Sequence, residues 1–383
     1  MDAPKWDRAG LFRDGKHLPQ CAELRRPGMR HPRLRALLPA ALLAISLLAG
    51  CASEGDGGVQ SQKLSTIRGR GKLICGVDGK LPGFSFVGPD GRYTGLDVDV
   101  CKAVAAAVLG DPNKVEYRDL NSSERFAALA SGEVDLLSRN TTMTLSRDAP
   151  GGNGLSFAPT TFYDGQGVMT PATSGVRSLK DLAGKPICVE SGTTTELNLA
   201  DRMRQLNVPY TPLKFQTGDQ TYAAYLGGRC VAVTSDRSQL AAKRTSFPDP
   251  AQHVLLPDVL SKEPLTPATV NGDPAWADAV RWIIFALFQA EESGITQANV
   301  PARLATAKAN TNLPDERRFL GVEGDFGKVL GLQADFAVKA IAAVGNYGEI
   351  FERNVGQGSR LKLERGLNRQ WKDGGLIYSP PFR

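Results

Sequence analysis

Histidine is scarce, with three in 383 residues, and only His253 lies beyond residue 50. A Ser-His or Cys-His catalytic pair therefore has a single imidazole to draw on, which argues against triad chemistry. Six cysteines occur, none with Cys-x-x-Cys spacing, so nothing points to a zinc site or a dithiol redox motif. A Gly-x-x-x-x-Gly-Lys-Ser/Thr phosphate loop is missing, and with it the signature of an ATPase subunit. The sequence carries no pattern that requires a metal or a cofactor. Positive charge is also thin where it would matter: of the net +6, residues 1–50 hold +5. The rest of the chain is near neutral, without the basic footprint of a nucleic-acid partner.

What is present in the basic N-terminus reads as processing. Arg30, Arg33 and Arg35 precede an apolar stretch from Ala36 to Leu48, too short to span a bilayer. A charged region, a short apolar region and small residues before a cleavage point describe a secretory signal peptide over residues 1–50. Residues 1–28 are long and acidic for such a leader, so translation is expected to begin at Met29. Leu48-Ala49-Gly50-Cys51 resembles a lipobox, which implies cleavage before Cys51 and lipidation of its thiol. The polar, Gly-rich run Ala52–Gln62 then reads as a tether, giving residues 51–63 as lipidated cysteine and linker. Four cysteines remain: Cys75, Cys101, Cys188 and Cys230. In an exported chain an even number suggests two disulfides. Of the three pairings, chain order favours Cys75 with Cys101 and Cys188 with Cys230; four buried free thiols are the alternative.

With 42% hydrophobic and 22% charged among its 383 residues, the chain has globular balance and length for about two domains. "KLICGV" (72–77) reads as a buried strand and "PDGRYTG" (89–95) as a hairpin turn. "DVDVCKAVAAAVL" (97–109) has helical apolar spacing. A strand at 115–117, a helix at 123–130 and a strand at 133–138 follow, an alternation that predicts a largely parallel sheet. The pattern restarts with a helix opening at 179–182, a strand at 186–190, a helix at 194–204 and a strand at 231–234. Asp273 followed by Pro274 starts a long helix ending near Gly294. Its apolar face of Trp276, Val280, Ile283, Ile284 and Leu287 is expected in the core. Further helices are expected at 334–344 and 361–371.

"GLDVDVCKAVAAAV" (95–108) resembles the signature of the family 3 extracellular solute-binding proteins, the polar amino-acid receptors of ABC importers. "LPGFSF", "SGEVDLLSRNTT", "FAPTTFYDGQG", "GTTTELNLAD", "NYGEIFERN" and "GLIYSPPFR" extend the resemblance to the general L-amino-acid-binding branch. It implies an α/β, two-lobed fold of the type II periplasmic-binding-protein kind, with the ligand in the interlobe cleft. The crossings fall near 163–167 and 262–269. Lobe 1 is thus discontinuous: 64–166, then 266–383 with a C-terminal helical extension, flanking lobe 2 at 167–265. The implied partners are a free L-amino acid, the permease subunits of the importer and a membrane reached through the lipid. The implied protein is a monomeric, periplasmic or cell-surface lipoprotein.

A free amino acid is a zwitterion, and each charged end needs hydrogen-bonded, charged partners once removed from water. "RNTTMTLSR" (139–147) offers them. Arg147 is a planar two-pronged donor for the carboxylate, and the resemblance makes it the clamp, with Asn140 and Thr142 beside it. Arg139, its neighbour by chemistry, is expected to point to the surface. Thr193 and Thr194 lie at a strand-to-helix junction that favours an anion, and Thr193 also suits a helix N-cap. Asp236, after "CVAVTS", matches the family's acidic partner of the ligand ammonium. Leu81 and Phe84 are placed to pack the ligand's aliphatic part, or simply their own loop. Asp78 and Glu190 stand near the side-chain pocket and would favour a cationic ligand. Met143 stands where close relatives are expected to carry an aromatic residue. No covalent chemistry is required, so the chain reads as a receptor and not an enzyme. The competing readings are an enzyme on the same fold, of the prephenate or arogenate dehydratase type, and a ligand-sensing adaptor.

Overall fold

The computed structural model describes residues 60–383. The expected leader, the cysteine expected to carry lipid (Cys51) and most of the expected tether lie outside those residues. The described chain starts helical almost at once: Gln62–Arg70 is a helix capped by the Ser61 side chain. Gln62 and Lys63, read from composition as linker, are its first turn. Among the described residues no helix is long and apolar enough to cross a membrane.

Two five-stranded sheets form the centres of two lobes. In the first, the strand order is Val115–Asp119, Leu73–Val77, Leu136–Leu137, Ala268–Val270, Leu155–Phe157. The first three run parallel, Ala268–Val270 runs antiparallel to them, and Leu155–Phe157 pairs antiparallel with Ala268–Val270. The second repeats this plan with Thr211–Phe215, Pro186–Glu190, Ala232–Asp236, Gln166–Pro171 and His253–Leu255. Alternating side chains feed opposite faces, as strand geometry demands. Val168, Ile187 and Ala232 enter one apolar cluster, and their neighbours Met169, Cys188 and Val233 enter another. Both faces are covered, which is why these strands read as continuous apolar runs.

The lobes are joined by a two-stranded antiparallel ribbon in which Phe162–Asp164 pairs with Glu263–Leu265. One chain segment leaves lobe 1 through the first strand and returns through the second. The parallel strands of each sheet end towards this hinge region with polar residues: Asp78, Asp119 and Arg139 in lobe 1, Glu190 and Asp236 in lobe 2. Carboxyl ends of parallel strands are where open α/β sheets bind ligands.

The helix Leu96–Leu109 is buried along almost its whole length. It is covered by the helices Pro274–Glu292 and Phe336–Val344, whose residues Trp276, Val280, Ile283, Ile284 and Leu287 are core as expected. Its start demands glycine. Gly95 has φ +132°, and a Cβ there would meet the Phe84 carbonyl oxygen at 2.1 Å. The expected helix at 361–371 is absent. That segment is an extended strap with only 3-10 turns at Gly366–Asn368 and Trp371–Asp373. Its burial alternates residue by residue from Leu361 to Arg365, a period of two that an extended chain satisfies and a helix does not. The strap is held by Asn368, whose carboxamide accepts from the Tyr163 N–H (2.7 Å) and donates to the Tyr163 carbonyl (3.1 Å) in the hinge.

Both expected disulfides are formed, Cys75 with Cys101 and Cys188 with Cys230, with Cα separations of 6.2 and 5.6 Å. Each is local to one lobe and ties a central strand to a neighbouring segment. The second closes the longer loop, a separation of 42 residues. Replacing Cys188 and Cys230 together by serine is expected to lower the unfolding free energy by about 2–4 kcal/mol. Urea unfolding followed by circular dichroism checks this; a midpoint equal to wild type would contradict it.

Candidate ligand-binding site

The lobes touch across the hinge-side cleft. The hydroxyls of Thr142 and Thr194 lie 3.4 Å apart, Asn140 Nδ2 donates to Gln239 Oε1 at 3.2 Å, and Lys80 pairs with Asp219 at 2.9 Å. Between these contacts is a small cavity of about 20 Å³ lined by Ser122, Arg125, Arg139, Asn140, Thr142, Glu190, Thr193, Thr194, Thr195, Ser235, Asp236 and Gln239. Arg139, Glu190 and Gln239 also wall an outer chamber of about 190 Å³, with Asp78, Lys80, Asp119, Asp219 and Lys243.

Each polar wall of the inner cavity has a local cause. Asn140 sits at φ +36°, a left-handed conformation that asparagine tolerates better than most residues. Asp97, buried at the start of its helix, holds that turn by accepting from the Asn140 N–H at 3.0 Å and the Ser138 hydroxyl at 3.2 Å. On lobe 2, Thr193 caps the helix Thr194–Gln205 by accepting from the Glu196 N–H, and donates to the Glu190 carbonyl at 2.7 Å. A cap of this kind contributes about 1 kcal/mol and aims the first turn of the helix at the cavity. Asp236 ends its strand immediately before the helix Arg237–Arg244.

Several buried polar atoms here have no hydrogen-bond partner in the protein: Arg125 Nε, Asn140 Oδ1, Glu190 Oε1 and Asp236 Oδ1. Burial drives the Arg125 guanidinium well below its usual range, and nearby Arg139 and Arg147 push the same way. Burial raises the Asp236 carboxyl well above the usual range, and repulsion from Asp164 and Glu263 adds to it. Unpaired donors and acceptors of both signs thus face one enclosure, an arrangement that pays nothing to either group alone but suits a ligand carrying both charges.

The expected site residues divide. Asn140, Thr142, Thr193, Thr194, Glu190 and Asp236 meet at the inner cavity, and Asp78 lines the outer chamber. Arg147 is buried close by, but its guanidinium donates to the Thr142 carbonyl at 2.7 Å and lies over the Phe126 ring. Burial lowers it to about 10. Arg125 occupies the other cation position on that ring, 4.8 Å from its centroid, and it is Arg125 that lines the cavity. Arg125 is not among the residues expected from the sequence, where its only signal is an arginine opening an otherwise apolar helix. Arg139 is corrected as well. It is 4% exposed, not a surface residue, donating to the Leu120 carbonyl at 2.7 Å and pairing with Asp78 at 2.8 Å. Its Nη2 is also 3.9 Å from Glu190, so the two acids that were to favour a cationic ligand already share a cation. Leu81 and Phe84 are both 1% exposed in the lobe 1 core, Phe84 edge-on to Phe162, and neither lines the cleft. Met143 is 41% exposed, outside the cavity.

Asp97 makes the geometry testable by pH. Burial raises its carboxyl from 3.8 to about 7. Between those values the folded state holds a proton that the unfolded state has released, so stability falls as pH rises and the penalty is complete above about pH 7. Asp97→Asn keeps an acceptor for the Asn140 N–H and cannot ionise. Its urea midpoint is expected to fall less than that of wild type between about pH 5 and about pH 8; parallel profiles would contradict this.

Comparison with known proteins places this geometry. Residues 73–316 match the model of the bacterial extracellular solute-binding proteins, family 3. The general L-amino acid-binding periplasmic protein of Rhizobium johnstonii is 48% identical, over 93% of this chain and 100% of its own. The glutamate/glutamine/aspartate/asparagine-binding protein of Rhodobacter capsulatus is 49% identical over 88% of this chain and 96% of its own. A solved ABC transporter periplasmic binding protein from Brucella ovis, with glutathione bound, superposes with a TM-score of 0.80 at 49% identity, covering 85% of this chain and 100% of that one. The two-lobed fold, the hinge ribbon and these matches together establish that the chain belongs to the bacterial extracellular solute-binding proteins of family 3.

Proposed function

We propose that this protein is the extracytoplasmic amino-acid receptor of an ABC importer, closing two lobes on its ligand and delivering it to the permease. The observation that carries this reading is the inner cavity, where Arg125 from lobe 1 and Asp236 from lobe 2 are buried with polar atoms unpaired. In this reading Arg125 and Arg147 hold the ligand carboxylate side of the cavity, with Thr193 and the helix N-terminus opposite, and Asp236 takes the ammonium. Asn140 and Thr142 complete the lobe 1 wall and Thr194 the lobe 2 wall. The protein binds its ligand without transforming it, in keeping with relatives named as binding proteins.

Because the groups belong to different lobes, full contact exists only on closure, and ligand binding favours the closed form by differential affinity. A micromolar dissociation constant corresponds to about 8 kcal/mol, within reach of a ligand of about ten heavy atoms. The reading also includes a tether at lipidated Cys51, supported by the Leu48–Cys51 sequence, and a monomeric receptor.

The outer chamber supports a second ligand class. It adjoins the inner cavity, has charged walls of both signs and is roomier than the inner cavity. Such a space suits a small γ-glutamyl peptide whose amino-acid end occupies the inner cavity. The Brucella ovis neighbour, with glutathione bound, supports that extension.

Ligand should stabilise the folded protein by mass action, by about 2.7 kcal/mol at a hundredfold excess over the dissociation constant. A thermal-shift screen of the soluble 52–383 fragment against the twenty amino acids and glutathione tests the reading. A shift with amino acids is expected; none with any of these compounds would refute it, and a shift with glutathione alone would select the peptide class. Arg125→Met and Arg147→Ala are each expected to weaken the best ligand at least tenfold, read by titration calorimetry. Undiminished affinity in either variant would remove that arginine from the clamp.

A further inference from the structure

Glu263 was not singled out by any sequence pattern, yet it is 1% exposed on the return strand of the hinge. Its carboxylate is surrounded by donors from both lobes. Oε2 accepts from the Thr142 hydroxyl of lobe 1 at 2.6 Å and from the Thr194 hydroxyl of lobe 2 at 2.9 Å. Oε1 accepts from Asn198 Nδ2 at 2.8 Å and from the Ser261 hydroxyl. We infer that Glu263 is a positioning residue that latches the lobes closed and sets the hydrogen-bonding polarity of the two cleft threonines. The inference rests on the reading of the protein as a closing amino-acid receptor.

Two physical arguments support it. The first is geometric. Thr142 belongs to the loop after a lobe 1 strand, and Thr194 and Asn198 to a lobe 2 helix. Lobe opening moves these donors apart, so one hinge carboxylate can satisfy all of them only in the closed arrangement. Leaving a buried carboxylate short of donors is costly, so the closed form is favoured. The second concerns protons. A hydroxyl has one hydrogen to donate and lone pairs to accept with. An ionised carboxylate can only accept, so Thr142 and Thr194 both spend their hydrogens on Glu263. Both threonines line the inner cavity, and towards it they can then offer only acceptor capacity. They are thereby set to receive the ligand's ammonium and not to donate to its carboxylate. Glu263 would so reject ligands that lack the amino group, although it touches no part of the ligand itself.

The test uses the full mature protein with two variants, Glu263→Ala and Glu263→Gln. Interlobe distances are measured without ligand by spin labels on non-natural residues at the exposed positions Arg92 and Arg204. Affinity and rates are measured with L-glutamate and with glutarate, which lacks the ammonium. Glu263→Ala is expected to move the ligand-free distribution towards the open form, to raise the L-glutamate dissociation rate at least tenfold with little change in association, and to reduce discrimination against glutarate at least fivefold. Glu263→Gln keeps one acceptor oxygen, and its amide can donate to the two threonine hydroxyls, so it should close nearly as well as wild type while still losing discrimination. Should the alanine variant fail to fold, the glutamine variant carries the same selectivity test alone. Wild-type distances together with wild-type discrimination in a folded variant would overturn the inference. Failure of the wild-type protein to bind L-glutamate would instead count against the receptor reading for that ligand, and the ligand-free distances would still judge the latch.

Discussion

Taking an ionised side chain out of water costs several kcal/mol unless charged or hydrogen-bonding partners replace the lost solvation. This protein incurs that cost repeatedly at one place. Arg125, Arg139, Arg147, Glu190, Asp236 and Glu263 are all buried around the meeting line of the two lobes. Some are compensated within the protein: Arg139 by Asp78, Arg147 by a backbone carbonyl, Glu263 by four donors. Arg125 and Asp236 retain unpaired atoms facing the same enclosure.

The rest of the architecture serves to hold that enclosure together. Parallel strands in both sheets deliver their carboxyl ends to it, and the hinge ribbon is the only paired element shared by the two lobes among the described residues. Behind the hinge, Asn368 reaches from the C-terminal strap to bond both the N–H and the carbonyl of Tyr163. The strap thus satisfies backbone groups of a strand that has a partner on one side only. The helices Pro274–Glu292 and Phe336–Val344 bury the helix Leu96–Leu109, which in turn carries Asp97 to the underside of Asn140. A chain of packing and hydrogen bonds therefore runs from the C-terminal helices to the lip of the cavity.

How much was legible beforehand depended on the range of the interaction. Thr193 at a helix cap, Pro274 after Asp273 and the strand Pro186–Glu190 follow from local backbone rules and were read at their correct places. The strap at 361–371 departs from the helix expected there because Leu361, Leu363 and Leu367 do not distinguish helical from extended spacing strongly; Lys362 at φ +49° excludes a regular helix there. Arg139 looked like a surface residue because its partner Asp78 is 61 residues away. Arg125 and Glu263 were missed for the same reason: nothing within a few residues of either shows that both lobes converge on it.

By itself the sequence determined the α/β alternation, the family, the long core helix and the pairing of cysteines favoured by chain order, because each depends on local periodicity or on motifs spread along the chain. It also assembled most of the polar set that faces the cavity. Only the tertiary structure decided that Arg125 and Arg139, and not Arg147, line the enclosure, which acids already share a cation, and that a hinge glutamate takes the hydrogens of two threonines from opposite lobes. Those outcomes depend on distances between residues remote in sequence, and a hydroxyl's role as donor or acceptor is set by whichever partner folding brings to it.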